Sequence, residues 1–313
     1  MSTYSIKELE VLTGIKAHTI RIWEQRYNIL SPNRTNTNIR FYTEEDLKHL
    51  LNISLLNKNG FKISRIARMS EKQVKEKVLA LSESNFEYTN QVDALVVGMI
   101  EFDEEAFEKI ISTNILRVGF ENTFLNIIFP FLNKIGILWQ TAVIRPAQEH
   151  FISNLIRQKI IVAMDGQIQM RHTETKKYML FLPEREMHEL SLLFINYIIR
   201  ARGNHTLYLG ASVPLGDVEE TYKDYKPDYM ITLCVSYPGE SSVQGYINTL
   251  SEKFPQSQIL VSGRQALAVN LKTPSNVRLC QSLQEAIQMI EQNSIRNTAK
   301  NGAAYTGSLI SSL

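Results

Sequence analysis

Cysteine is scarce. Cys234 and Cys280 are the only two in 313 residues, too few for a disulfide framework, and neither has the closely spaced partner that a structural zinc site needs. With no charged-then-apolar leader at the start, the expected compartment is the reducing cytoplasm. Long hydrophobic runs are missing as well. The most apolar stretch, Ile127 to Trp139, is broken by Pro130, Asn133 and Lys134, so no segment reaches the roughly 20 apolar residues of a membrane span. No phosphate-cradling glycine loop and no nucleophile–base–acid set stand out, which argues against an enzyme.

Charge and length give the first positive clues. The net charge of +2 hides an asymmetry, because residues 1–80 hold 14 basic against 8 acidic side chains while the other 233 residues sum to −4. A basic end on a mildly acidic body fits phosphate binding at one end. With 44% hydrophobic residues the chain can bury cores, and its length predicts two or three domains.

The N-terminal segment, 1–75, reads as short helices separated by turns. Ser5 caps a first helix with Ile6, Leu9 and Leu12 on one face, and Thr13-Gly14 ends it. A second helix follows with Ile15, Ile20 and Trp23 as its buried side. Ser31 to Asn38, rich in Asn, Thr and Pro, is a loop or hairpin leading into Arg40-Phe41-Tyr42. Thr43 and Asp46 form a capping box for a third helix that Gly60 stops, and Ile63 and Ile66 mark a fourth. A helical linker is expected over 76–84. From 85 to 170, apolar residues recur at helical spacing four times, which predicts a four-helix bundle. From 176 to 293, strands near Tyr178–Leu182, Thr206–Leu209, Tyr229–Val235, Gln258–Val261 and Val277–Leu279 alternate with helices, the pattern of a doubly wound parallel sheet. The tail, 294–313, lacks any period and is expected to be disordered.

Two short helices joined by a tight turn place the second in a DNA major groove. Here that helix carries Lys16, His18, Thr19, Arg21 and Arg26. A lone amphipathic helix would be ordinary surface, but SIKELEVLTGIKAHTIRIWEQRYNIL, PNRTNTNIRFYTEEDL and LLNKNGFKISRI together resemble the MerR family over about 65 residues. The resemblance implies a winged helix-turn-helix, with Arg34, Arg40 and Tyr42 on a wing that approaches the DNA backbone. It also implies a homodimer or tetramer that binds an operator in duplex DNA.

The remaining residues hold two histidines in informative places. His150 lies in WQTAVIRPAQEHFISN within the bundle. His188 lies in PEREMHELSLLF after the first strand of the α/β segment, where parallel sheets place ligands. Each alone reads equally well as a surface histidine. Together, Trp139 ten residues before the Glu149-His150 pair, and Glu186-x-His188 at the head of an α/β domain, resemble the cobalamin-binding regulators of the CarH and LitR type. The resemblance covers essentially the whole chain in the same domain order, and it makes the last domain flavodoxin-like, of the cobalamin-binding kind.

That resemblance implies a corrin, as adenosylcobalamin, between bundle and α/β domain. His188 would be the lower cobalt ligand, with Glu186 setting its tautomer. Trp139 would cap the upper face, Glu149 and His150 would line it, and His150 is a candidate upper ligand. The nucleotide tail would run beside Ser191, Thr232, Ser236, Ser262 and Gly263. Ser191 and Ser262 stand where that family usually has glycine, and Ser236 lies beyond the usual Ser-x-Leu position. The implied output is a light switch: an oligomer that holds DNA in the dark and comes apart when the cobalt–carbon bond is photolysed. Two alternatives stay open, a regulator that lost cobalamin and senses another ligand or protein partner, and a cobalamin-dependent methyltransferase or mutase subunit.

Overall fold

The computed structural model describes residues 3–35, 38–84, 88–140, 144–167 and 175–292. By its internal contacts the chain divides into two compact units, Met1–Ile156 and Arg157–Leu313. The expected disordered tail lies outside the described residues.

The first unit begins with helix α1, Ile6–Thr13, whose start is a reciprocal capping box between Ser5 and Glu8. Gly14, at φ +72°, ends it in the left-handed region. Helix α2, Ala17–Tyr27, has no capping side chain of its own at Lys16. Glu10 takes that place from α1: its carboxylate accepts the Ala17 N–H at 2.9 Å and the Lys16 ammonium at 2.9 Å. The Ala17 N–H and then Lys16 hold the Glu10 carboxyl below its ordinary pKa.

Strands β1, Asn33–Arg34, and β2, Arg40–Phe41, form the antiparallel hairpin with Arg34 opposite Arg40. Thr43 and Asp46 cap helix α3, Glu44–Lys58, as a reciprocal box. Gly60, at φ +85°, follows its end. Helix α4 spans Ile63–Ile66, and helix α5, Glu71–Ser84, runs unbroken through the expected linker.

The bundle helices are α6, Tyr88–Glu101; α7, Glu104–Val118; a third rod; and α10, Pro146–Asp165. The third rod consists of α8, Phe120–Thr123, a π-helical turn, Phe124–Ile128, and α9, Phe129–Gln140. Pro130 explains the widened turn. Its ring would clash with a carbonyl four residues back in a regular helix, and it has no N–H to bond. In the wider turn the Phe129 N–H reaches back to the Phe124 carbonyl, five residues away.

The N-terminal segment and helices α6 to α9 lie in one unit and are joined by polar contacts. Asp93 on α6 pairs with Lys58 of α3 at 2.8 Å and Lys134 of α9 at 2.5 Å. Asn59 and Asn90 exchange side-chain amide hydrogen bonds at 3.1 and 2.9 Å. Burial opposes ionisation of Asp93, but Lys134 and Lys58 outweigh it and hold the carboxyl below its usual range.

The second unit holds a five-stranded parallel sheet in the order β4-β3-β5-β6-β7. Its strands are β3, Lys177–Pro183; β4, His205–Val213; β5, Tyr229–Leu233; β6, Gln258–Ser262; and β7, Val277–Leu279. Helix α11, Leu190–Ala201, follows β3, and α12, Leu215–Tyr225, follows β4; α13, Glu240–Lys253, and α14, Arg264–Ala268, follow β5 and β6. Residues 283–292 are helical. Met179, Phe181 and Met230 bury one sheet face in a core with Val218 of α12 and Val243 and Ile247 of α13.

Edge strand β4 outruns its expected length because a bulge at Gly210, φ +85°, lets pairing with β3 resume beyond it. Strand order reverses between β3 and β5, and loops 184–189 and 234–239 leave their carboxyl ends there. In open parallel sheets that reversal opens a ligand crevice.

Candidate functional site

His188 sits on the loop after β3 with 58% of its side chain exposed. Its Nδ1 lies 2.6 Å from Oε1 of Glu186, whose side chain is fully buried. Glu186 is held from the other side by the loop after β5. Its Oε2 accepts the backbone N–H groups of Val235, Ser236 and Tyr237 at 3.0, 2.6 and 3.0 Å. The Ser236 hydroxyl is 3.2 Å from each carboxylate oxygen and 3.4 Å from His188 Nδ1.

Three successive backbone N–H groups on one oxygen make a built-in anion cradle. Burial alone would raise the Glu186 pKa. The hydrogen bonds from His188, Ser236 and Tyr237 outweigh it and hold the carboxyl far below its usual range. A fixed carboxylate on Nδ1 keeps the proton on that nitrogen, so a metal would be taken by Nε2. Among the described residues no three His, Cys, Asp or Glu side chains gather as a metal cage. A single oriented imidazole suits a metal that brings its remaining ligands with it, as cobalt in a corrin does. Burial, with the Glu186 charge beside it, pushes the Cys234 thiol up to about 12, so it stays protonated.

The expected tail-pocket residues fare differently. Ser236 joins the Glu186–His188 cluster, and Ser191 lies half-buried in the first turn of α11. Thr232 is fully buried in β5, and the Ser262 hydroxyl donates to the Cys280 carbonyl at 2.7 Å. A Cβ at Gly263 would stand 2.5 Å from the Cys234 carbonyl oxygen. Thr232, Ser262 and Gly263 thus also take part in the packing of the sheet at the carboxyl ends of β5 and β6. Gly263→Ala, at φ +107°, is expected to destabilise the unit by about 2–3 kcal/mol in urea denaturation.

In the first unit, Trp139 near the end of α9 is 47% exposed. Glu149 accepts from the Ser153 hydroxyl at 3.2 Å. His150 is exposed, with Nδ1 3.2 Å from the Glu149 carboxylate. These neighbours on α10 contact each other although their Cβ atoms diverge.

Lys16 at the N-cap of α2 and His18, Arg21 and Arg26 on the helix are exposed, with Thr19 half-buried. Arg34 is exposed and bonds Asn38 Oδ1 at 2.6 Å. Arg40 is half-buried, its Nε 3.9 Å from Glu24. Tyr42 is fully buried: its backbone pairs with Tyr4 at 2.8 and 2.9 Å, and its hydroxyl donates to Glu24. That corrects its expected contact with the DNA backbone, since it braces the wing from beneath.

Residues 4–73 match the MerR HTH family regulatory protein, and residues 91–163, covering most of α6 through α10, match the B12 binding domain. By these two segments the chain is similar to MerR-type DNA-binding regulators that carry a B12 binding domain. The HTH-type transcriptional repressor CarH of Myxococcus xanthus is 23% identical to this regulator over 261 residues, 81% of this chain and 86% of that protein. The repressor CarA of the same organism is 24% identical over 229 residues, 72% and 74% of the two chains. The regulator MlrA of Escherichia coli is 32% identical over 66 residues, 21% of this regulator and 27% of that protein. No described helix is long and apolar enough to cross a membrane.

Sequence reasoning missed the partners that shape the His188 loop. Gln265 donates to the Ser236 carbonyl at 2.6 Å and accepts the Gly239 N–H at 2.8 Å, pinning the loop after β5. Glu189, next to His188, accepts from Arg157 Nε at 3.2 Å and the Tyr208 hydroxyl at 2.9 Å. A Gln on a short helix and a Tyr on an edge strand carry no spacing signal that would have found them.

Proposed function

We propose that cobalamin, in its adenosyl form, binds this cytoplasmic regulator through His188 and controls its self-association and its hold on operator DNA. The observation that carries the reading is the Glu186 carboxylate, cradled by three backbone N–H groups and fixed on His188 Nδ1. Trp139, Glu149 and His150 keep, as part of the proposal, the upper-face roles that the resemblance implies. Bound adenosylcobalamin would supply a cobalt–carbon bond that light can break. The regulator's part is to hold the dark oligomer, dimer or tetramer, whose paired α2 helices grip DNA more firmly than one copy does.

The test is direct. Purified protein mixed with adenosylcobalamin turns red, bleaches under green light, and changes oligomeric size on bleaching. Protein that stays colourless selects the alternative of a regulator that senses another ligand or a protein partner. The DNA side has its own check. Affinity for the operator falls steeply with salt, and Arg26→Ala lowers the slope of log affinity against log salt by about 0.9. An unchanged slope removes Arg26 from the phosphate contacts.

A further inference from the structure

Helix α2 carries one outward side chain that phosphate binding does not explain. Ile22 is 45% exposed, while Ile20 and Trp23 on the other side of the helix are buried. His18 lies four residues before it and Arg26 four after, with Arg21 and Gln25 beside the same face, all exposed. Positions 18, 22, 25 and 26 form one stripe of a helix. An apolar branch thus stands in water at the centre of a polar and cationic face.

Charge complementarity selects a polyanion for that face rather than an apolar protein partner. In the major groove the one apolar group that any base pair presents is the thymine C5 methyl. Ile22 matches it in size and polarity, and its flanking cations meet the phosphates on either side. We infer that Ile22 is a specificity-determining residue that packs on a thymine methyl within each half-site. The inference rests on the reading of α2 as the DNA-recognition helix.

Burying one methyl group is worth about fourfold in affinity. Selection from a random duplex pool gives the bound sequence, and each thymine in it is then replaced singly by deoxyuridine, which removes only the methyl. Wild-type protein is expected to lose about fourfold or more at one thymine of each half-site. Ile22→Ala is expected to lose as much on the thymine site and to be indifferent to that same deoxyuridine. Alanine at this exposed helical position favours the helix, so folding is not at risk. Indifference of the wild type to every replacement overturns the inference, and so does equal sensitivity of Ile22→Ala, both leaving DNA binding intact. A pool that yields no preferred sequence overturns the recognition reading itself.

Discussion

Replacing Glu186 by alanine is expected to destabilise the α/β unit by about 3–5 kcal/mol and to abolish cobalamin binding with it. The carboxylate accepts the N–H groups of Val235 and Tyr237, and it joins the loop after β3 to the loop after β5. Its removal leaves those donors without a partner in a water-poor site and frees His188 to turn. Glu186→Gln keeps the shape but offers a neutral oxygen to donors set for a charge, so its cost is smaller and of the same sign. Urea denaturation followed by far-UV circular dichroism measures both.

The same group fixes a pH dependence. Its folded pKa is depressed, so its contribution is fully present above the unfolded carboxyl value of about 4.3 and is lost as pH falls from there toward the folded value. Stability of wild type is therefore expected to drop on acidification below about pH 4.5, and Glu186→Ala is expected to lack that portion of the drop. Parallel curves for the two proteins would remove Glu186 from the account.

His188→Ala separates metal binding from folding. The ring is more than half exposed, so its loss costs the fold little, about 1 kcal/mol or less. Cobalamin affinity, in contrast, is expected to fall by about 100-fold or more, with a changed visible spectrum, because on the proposed reading the His188 imidazole is the ligand beneath the cobalt. Spectroscopic titration of wild type and variant at matched stability checks this. Equal affinity and equal spectra would show that the imidazole is not a ligand.

What the sequence disclosed follows the range of each interaction. Ser5 with Glu8, Thr43 with Asp46, and the stops at Gly14 and Gly60 lie within a few residues of the elements they delimit, so their chemistry is readable locally. The five parallel strands were legible because each is a short apolar run between helices. Helix α2 is capped from α1 by Glu10, seven residues before the N–H it accepts, and no local rule points there. Tyr42 sits where wing residues meet DNA by resemblance, yet its bridge to Tyr4 and its bond to Glu24 draw it inside.

At the site, Glu186 and His188 were visible as a spaced pair. The three N–H groups that fix them were not, because backbone donors leave no trace in residue identity. Ser262 and Gly263 were expected beside a ligand for being small. Smallness there serves the Cys280 carbonyl and the Cys234 backbone, contacts that only the folded sheet brings together.

The central claim is that cobalamin held by His188 sets the grip on DNA. Operator affinity, measured in the dark with and without adenosylcobalamin and again after green light, tests it most directly. The account predicts tighter binding with the cofactor in the dark, loss of that gain on illumination, and no gain in His188→Ala. Equal affinity under all three conditions, with red protein in the tube, would contradict it.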